Sequence, residues 1–89
     1  MRECVWENRF SAELKKIEPD QKRADDLIAG IDWVLARNPQ CGVAMDGAEV
    51  WYIVSRDIPK HHHLVIFYTF NVQTVFFLSV ISTSIDELA

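Results

Sequence analysis

Three consecutive histidines, His61, His62 and His63, form the most conspicuous chemical group in this chain. In an extended segment, His61 and His63 project to one side and His62 to the other. Two imidazoles on one side suit a transition metal, but a tight site needs a third or fourth ligand, and the nearest candidate is Asp57. We therefore expect no functional metal site and no cofactor.

Basic residues stand beside this run of histidines. A histidine next to a phosphodiester can act as general acid or base because imidazole titrates near neutral pH, and basic side chains would hold the phosphate. The candidate catalytic residues are Arg56, His63 and Tyr68, and the candidate phosphate-binding residues are Arg56, Lys60 and His61. A solvated loop without a chemical role is the alternative.

Length and charge limit the classes of protein to which the chain can belong. Its 89 residues predict a single domain over residues 1–89, and a hydrophobic content of 49% is typical of a globular protein with a core. The net charge of −4 at pH 7 argues against a protein whose main affinity comes from neutralising many phosphates.

The sequence predicts a cytoplasmic protein that does not contact a membrane. Polar residues interrupt Leu64–Ile85, the segment closest to the roughly 18 apolar residues that a membrane span requires. The residues after Met1 lack the basic-then-apolar pattern of a signal peptide. In a reducing compartment Cys4 and Cys41 would be free thiols.

The first half of the chain has helical periodicity. Val5–Phe10 alternates weakly, as in a short strand or an extended arm, and Ser11 is the candidate N-cap of a first helix. Asp20 is the candidate N-cap of a second helix, which Asn38 and Pro39 should end. The apolar residues of this second helix recur at helical spacing: Ala24, Leu27, Ile28, Ile31, Val34 and Leu35.

After Pro39 the periodicity becomes that of strands. Asp46-Gly47 is a tight-turn signal, and strands are predicted over Glu49–Ser55, Leu64–Phe70 and Thr74–Ile81. Helices followed by a run of strands indicate an α+β fold. We predict two layers, in which an N-terminal helical hairpin packs on an antiparallel sheet of three to four strands.

Both faces of the predicted sheet are apolar. Helices can cover only one face of a two-layer fold, so the strands should alternate apolar and polar side chains, and these strands do not. The side chains Val65, Phe67, Val75, Phe77 and Ile81 share one strand parity and form the predicted partner-binding surface. A second copy or another protein would bury it, unless the terminal segment of the chain folds back over it.

The order of these segments resembles the RelE/ParE toxin superfamily over roughly residues 2–81. The resemblance is carried by the helix that ends in Leu35-Ala36-Arg37-Asn38-Pro39 and by the strands Val50–Val54, Leu64–Phe70 and Val75–Val80. It implies a β-αα-βββ fold and a bacterial or archaeal toxin–antitoxin operon, with a cognate antitoxin that wraps the toxin with a helix and a strand. RelE-like members cleave messenger RNA in the ribosomal A site, and ParE-like members poison DNA gyrase.

The basic residues that a RelE-like nuclease uses are missing from their usual positions. Such nucleases carry Lys and Arg on the strands and after the last strand, where they hold RNA and stabilise charge during attack by the ribose hydroxyl. Here no basic residue precedes Arg56 in the second strand, Val65 stands where an arginine is expected, and Ile81–Ser84 contains none. Only Tyr68 matches an aromatic position of the superfamily.

The resemblance and the missing basic residues together predict a toxin-superfamily protein that acts mainly by binding proteins. Its partner would be a cognate antitoxin or a second copy, and its target the ribosome, RNA or gyrase. Whether it is an enzyme stays open; if it is one, it is an endoribonuclease. The two alternatives are a ribosome-dependent mRNA interferase with a non-standard site and an unrelated small α+β dimerisation or interaction domain.

Overall fold

Two helices cover one face of a five-stranded sheet in the computed structural model, which describes residues 1–47, 49–55 and 62–84. The elements are β1 (Glu3–Trp6), α1 (Asn8–Ile17), α2 (Gln21–Arg37), a 3-10 turn (Pro39–Cys41), β2 (Val43–Ala44), β3 (Trp51–Ser55), β4 (His62–Phe70) and β5 (Thr74–Ser84). Within these ranges no helix is long and apolar enough to span a membrane.

The sheet has the strand order β1-β5-β4-β3-β2. The pairs β5–β4, β4–β3 and β3–β2 are antiparallel, whereas β1 pairs with β5 in parallel, because the two helices carry the chain from one end of the sheet back to the other. The predicted two-layer α+β fold is therefore confirmed. The sheet differs from the prediction in being mixed and in having five strands among the described residues.

The limits of α2 follow from local sequence signals. Asp20 is its N-cap, and the Asp20 carboxylate accepts a hydrogen bond from the Arg23 backbone N–H at 3.1 Å. The helix ends at Arg37, directly before Asn38 and Pro39, because proline disfavours helical geometry in the residue that precedes it. Both predicted ends of this helix are confirmed.

The first helix begins earlier than the sequence predicts. It starts at Asn8 and not after Ser11, and β1 is correspondingly short. Phe10 and Leu14 are both buried in the core, and a helix that includes both residues places them on one face because they are four positions apart. Burial of Phe10 therefore extends α1 towards its N-terminus.

A single cluster of apolar side chains lies between the helices and the sheet. The helices contribute Phe10, Leu14, Ala24, Ile28, Ile31 and Leu35, and the sheet contributes Leu64, Ile66, Tyr68, Val75, Phe77 and Val80. The Phe10 and Phe77 rings meet edge to face, with centroids 5.2 Å apart. These contacts fix α1 against β5.

The pairing of β4 with β5 contains a β-bulge. Phe67 pairs with Ser79, but the next residue of β4, Tyr68, pairs with Phe77, so Leu78 is an extra residue on β5. One extra residue shifts the side-chain alternation of its strand by one position. The core side chains of β5 are therefore at odd positions before the bulge (Val75 and Phe77) and at an even position after it (Val80).

This shift makes part of the predicted division of faces wrong. Val75 and Phe77, assigned from the sequence to the partner-binding surface, are 0% exposed and lie in the core together with Val80. Phe76, which the prediction left outside that surface, pairs with Val5 of β1 and lies on the face opposite to the helices. The prediction assumed unbroken alternation through the bulge.

Candidate protein-binding face

The sheet face that points away from the two helices is apolar. Residues directly opposite each other on neighbouring strands lie on the same face, so the strand registers define this surface. It contains Val5, Val43, Tyr52, Val54, Val65, Phe67, Thr69, Phe76 and Ile81, which we call the open face. Ser79 pairs with Phe67 beside the bulge, but its hydroxyl donates a hydrogen bond to Glu13 of α1, so it is not counted here. Both helices of the described chain pack on the other side.

The open face consists of three rows that cross the strands. The rows are Val5-Phe76-Thr69, Phe67-Tyr52-Val43 and Ile81-Val65-Val54. Successive rows are two residues apart, so they extend for about 14 Å along β4. Each row crosses three strands, and the three rows together reach from β1 to β2, which is about 19 Å at about 4.8 Å per strand. An α-helix of three turns is about 16 Å long and about 10 Å wide, so one helix lying along β4 would cover the middle of all three rows.

The open face is uncharged. Within β3, β4 and β5 there is no Lys, Arg, Asp or Glu residue. Charged residues lie at its end: Glu3 pairs with Thr74, and the Glu49 backbone carbonyl accepts a hydrogen bond from the Thr69 hydroxyl at 2.7 Å. A phosphate needs cationic partners, so this surface is suited to an apolar protein segment and not to RNA.

The residues of the open face differ in accessibility. Val43 and Ile81 are 52% and 43% exposed, and the half-buried rings of Tyr52 and Phe67 lie side by side with centroids 6.4 Å apart. Val65 lies in the same surface but is only 8% exposed. A partner would therefore contact Tyr52, Phe67 and Ile81 more than Val65.

Tyr68, a predicted catalytic residue, is part of the core. It is fully buried, and its hydroxyl donates a hydrogen bond to the Pro39 carbonyl at 2.6 Å. Burial raises the pKa of Tyr68 to about 12, which opposes ionisation at neutral pH. In this position the Tyr68 hydroxyl is enclosed by the core and engaged with the Pro39 carbonyl, which favours a structural role for Tyr68.

Of the other residues with a predicted chemical role, the structure describes only His63. Arg56, Asp57, Lys60 and His61 lie outside the described residues. His63 is half-buried at the end of the open face, opposite Thr83. In residues 1–47, 49–55 and 62–84, no group of three His, Cys, Asp or Glu side chains is placed to hold a metal ion.

A cluster of polar groups between β1 and α2 is not evident from the sequence. The Trp6 indole N–H donates to the Asp32 carboxylate at 3.4 Å, and the Cys4 thiol donates to the Asp32 backbone carbonyl at 3.5 Å. Burial raises the pKa of Asp32, and burial together with the Asp32 charge raises the pKa of Cys4 to about 11. Cys4 is therefore a packing residue and a poor nucleophile.

A shallow cleft between α1 and α2 is lined in part by Lys15, Glu18 and Gln21. Its volume is about 70 Å³, whereas sites for small-molecule ligands usually hold about 300–1,000 Å³. This cleft has room for water but not for a substrate.

Comparison with known proteins leaves the open face and the order of the elements as the main guides to function. The chain matches no model of a protein family, and a search among curated proteins returns no significant match.

Proposed function

We propose that this chain is a divergent RelE/ParE-like domain that acts in the cytoplasm by binding an antitoxin-like protein through its open face. The order of its described elements, β-αα-ββββ, is the β-αα-βββ order of that superfamily with β2 added. The added strand has only two residues and lies at the edge of the sheet. The order of the elements supports the proposed family.

The observation that carries the proposed binding function is the uncharged open face. Burying a large apolar side chain completely contributes about 1.5–3 kcal/mol, and the partly exposed side chains of this face retain a share of that free energy for a partner. Tyr52, Phe67, Phe76 and Ile81 are the large side chains that a partner would bury. Their combined burial would support specific association.

The partner that fits this surface is an amphipathic helix continued by an extended segment. The helix would lie on the three rows with its apolar side towards Phe67. The two residues of β2 pair only with Trp51 and Tyr52, so among the described strands the outer edge of β3 from Ile53 to Ser55 is unpaired. An extended segment of the partner would add a strand there.

The lack of cationic side chains on β3, β4 and β5 supports binding over RNA cleavage. We expect little ribosome-dependent cleavage when the protein is produced alone in a bacterium, as measured by mapping RNA ends. Robust cleavage in the ribosomal A site would contradict the proposal. It would favour an mRNA interferase with a non-standard site and make Arg56, Lys60 and His63 the residues to replace.

The binding proposal is tested with the product of an adjacent reading frame that joins a DNA-binding half to an amphipathic half. Phe67→Asp should abolish its binding, measured by calorimetry, because the new carboxylate would be buried without a partner. Val72→Asp is the matched control, because Val72 is 87% exposed at the β4–β5 turn and lies outside the open face. Equal binding by the Phe67→Asp variant and the wild type would contradict the proposed site.

A further inference from the structure

The exposed side of α2 carries four residues in one stripe: Asp26, Gly30, Trp33 and Arg37. Their spacings of four, three and four residues place them along one line of the helix. All four are exposed, and the stripe lies opposite the core residues of the same helix. It therefore faces away from the sheet and from the open face.

Trp33 and Arg37 form a prearranged pair at one end of this stripe. Trp33 is 59% exposed, the Arg37 guanidinium lies over its ring at 3.9 Å from the centroid, and Arg37 also donates to the Trp33 carbonyl at 3.0 Å. The position of the ring is thus held before any partner binds. Trp and Arg are the residue types that most often dominate the free energy of protein association.

Gly30 leaves a notch one turn before Trp33. A Cβ added at Gly30 would meet no atom of the described residues within 4 Å, so packing within the domain does not require a glycine there. Glycine in the middle of a helix is otherwise unfavourable compared with alanine. The notch allows another backbone or a large side chain to approach α2 closely.

We propose that the stripe binds the same stripe of a second copy of this chain, with the two α2 helices antiparallel about a two-fold axis. An axis between residues 31 and 32 places Trp33 against Gly30 of the second copy and Arg37 against Asp26 of the second copy. Eleven residues, about 16 Å of helix, separate Asp26 from Arg37 in each copy, so all four contacts form together.

Charge and size complementarity identify the occupant as a second copy in the antiparallel orientation. Along α2 the stripe reads negative, small, large, positive, and an antiparallel copy presents the complementary feature at each position. A parallel copy would instead place Asp26 against Asp26, Arg37 against Arg37 and Trp33 against Trp33. Like charges and two bulky rings disfavour that arrangement.

One pair of helices makes a small interface. We expect it to bury less than about 1,200 Å² in total, which is typical of weak complexes. Dimerisation should therefore depend on concentration in the micromolar to millimolar range. It leaves the open face free, because the stripe and the open face lie on opposite sides of the two-layer fold.

Sedimentation equilibrium of the full chain tests this proposal, with thermal unfolding as the check that each variant is folded. Asp26→Arg or Arg37→Asp alone should weaken the dimer by about tenfold or more, since each creates two like-charge contacts across the axis. The double variant should regain most of the affinity, because the charges are again complementary. Gly30→Leu should block the dimer by filling the notch.

The Phe67→Asp variant tests whether this interface is distinct from the open face. It should leave the dimer unchanged. The proposal is overturned if the protein stays monomeric up to about 1 mM. At that concentration even a dimer with a binding free energy of about −4 kcal/mol is detected. The proposal is also overturned by a dimer that tolerates Gly30→Leu, a double charge reversal that does not restore affinity, or a dimer that Phe67→Asp dissociates.

Discussion

The hydroxyl of Tyr68 donates a hydrogen bond to the backbone carbonyl of Pro39 at 2.6 Å within the core. Pro39 begins the turn directly after α2, and Tyr68 lies on β4, the central strand of the sheet. This bond therefore ties the end of the helical layer to the middle of the sheet and satisfies a carbonyl that is removed from water. The role of Tyr68 is structural.

Replacing Tyr68 with phenylalanine removes the donor and leaves the carbonyl of Pro39 without this partner. Leaving a buried acceptor unsatisfied costs about 1–3 kcal/mol, and we expect the free energy of unfolding in urea to fall by that amount. Tyr52→Phe is the matched control, because Tyr52 is only half-buried on the open face. Equal stabilities of the two variants would show that the bond contributes nothing.

Stability should decline at alkaline pH through Tyr68. Burial raises its pKa from 10.0 to about 12, so the folded protein holds the phenol proton more tightly than the unfolded chain does. The resulting stabilisation is fully present below pH 10.0 and is lost as pH rises towards about 12. Denaturant titrations across this range should show a shallower decline for Tyr68→Phe than for the wild type. An identical decline in both proteins would show that ionisation of Tyr68 does not cause the loss of stability.

The same substitution at two glycines should have opposite effects. Gly42 has an extended φ of −82°, so backbone strain is not at issue, but a Cβ there would collide with the Tyr68 hydroxyl. We expect Gly42→Ala to destabilise the fold by about 1–3 kcal/mol. Gly30→Ala, measured at low protein concentration, should stabilise it by about 0.5–1 kcal/mol through helix propensity. Changes of the same sign in both variants would refute the packing argument at Gly42.

A carboxylate of α1 stabilises the bulged region of β5 at neutral pH. Glu13 accepts a hydrogen bond from the Ser79 hydroxyl at 2.7 Å. This bond chiefly lowers the Glu13 pKa, with further help from the Val80 backbone N–H and from Arg9 and Lys16. A lowered folded pKa means that the stabilisation is present above the ordinary value of 4.5 and is lost as pH falls.

Glu13→Gln should therefore lose less stability than the wild type when the pH is lowered from neutral to acid, as followed by thermal unfolding. Ser79→Ala should act in the same direction, because it removes the main cause of the lowered Glu13 pKa. Glu18→Gln, at the end of the same helix, serves as the control. If Glu13→Gln lost as much stability in acid as the wild type, the Glu13–Ser79 contact would not be the cause of that loss.

The two phenylalanines on either side of the sheet should respond very differently to truncation. Phe77 is fully buried against Phe10, and Phe77→Ala should cost about 3–5 kcal/mol of unfolding free energy because it leaves a cavity. Phe67 lies on the half-exposed open face, so Phe67→Ala should cost about 1–2 kcal/mol. Similar losses at both positions would place the two residues in comparable environments and contradict the bulge.

The local elements of this protein were determined by its sequence alone. The apolar stripe of α2, the Asp20 N-cap and the stop at Pro39 each depend on residues within a few positions of one another, and so does the turn at Asp46-Gly47. The order of helices and strands then indicated a two-layer α+β fold. Such features are predictable because the interactions that stabilise them are local.

The tertiary structure decided which side chains face a partner. The bulge at Leu78 exchanges the two faces partway along β5, and the contact beside it joins Glu13 to Ser79, which is 66 residues later in the chain. No local pattern distinguishes Phe76 from Phe77, because both belong to an unbroken apolar run. Only the register against β1 and β4 buries one and leaves the other on the open face, and strand register is a non-local property of the folded chain.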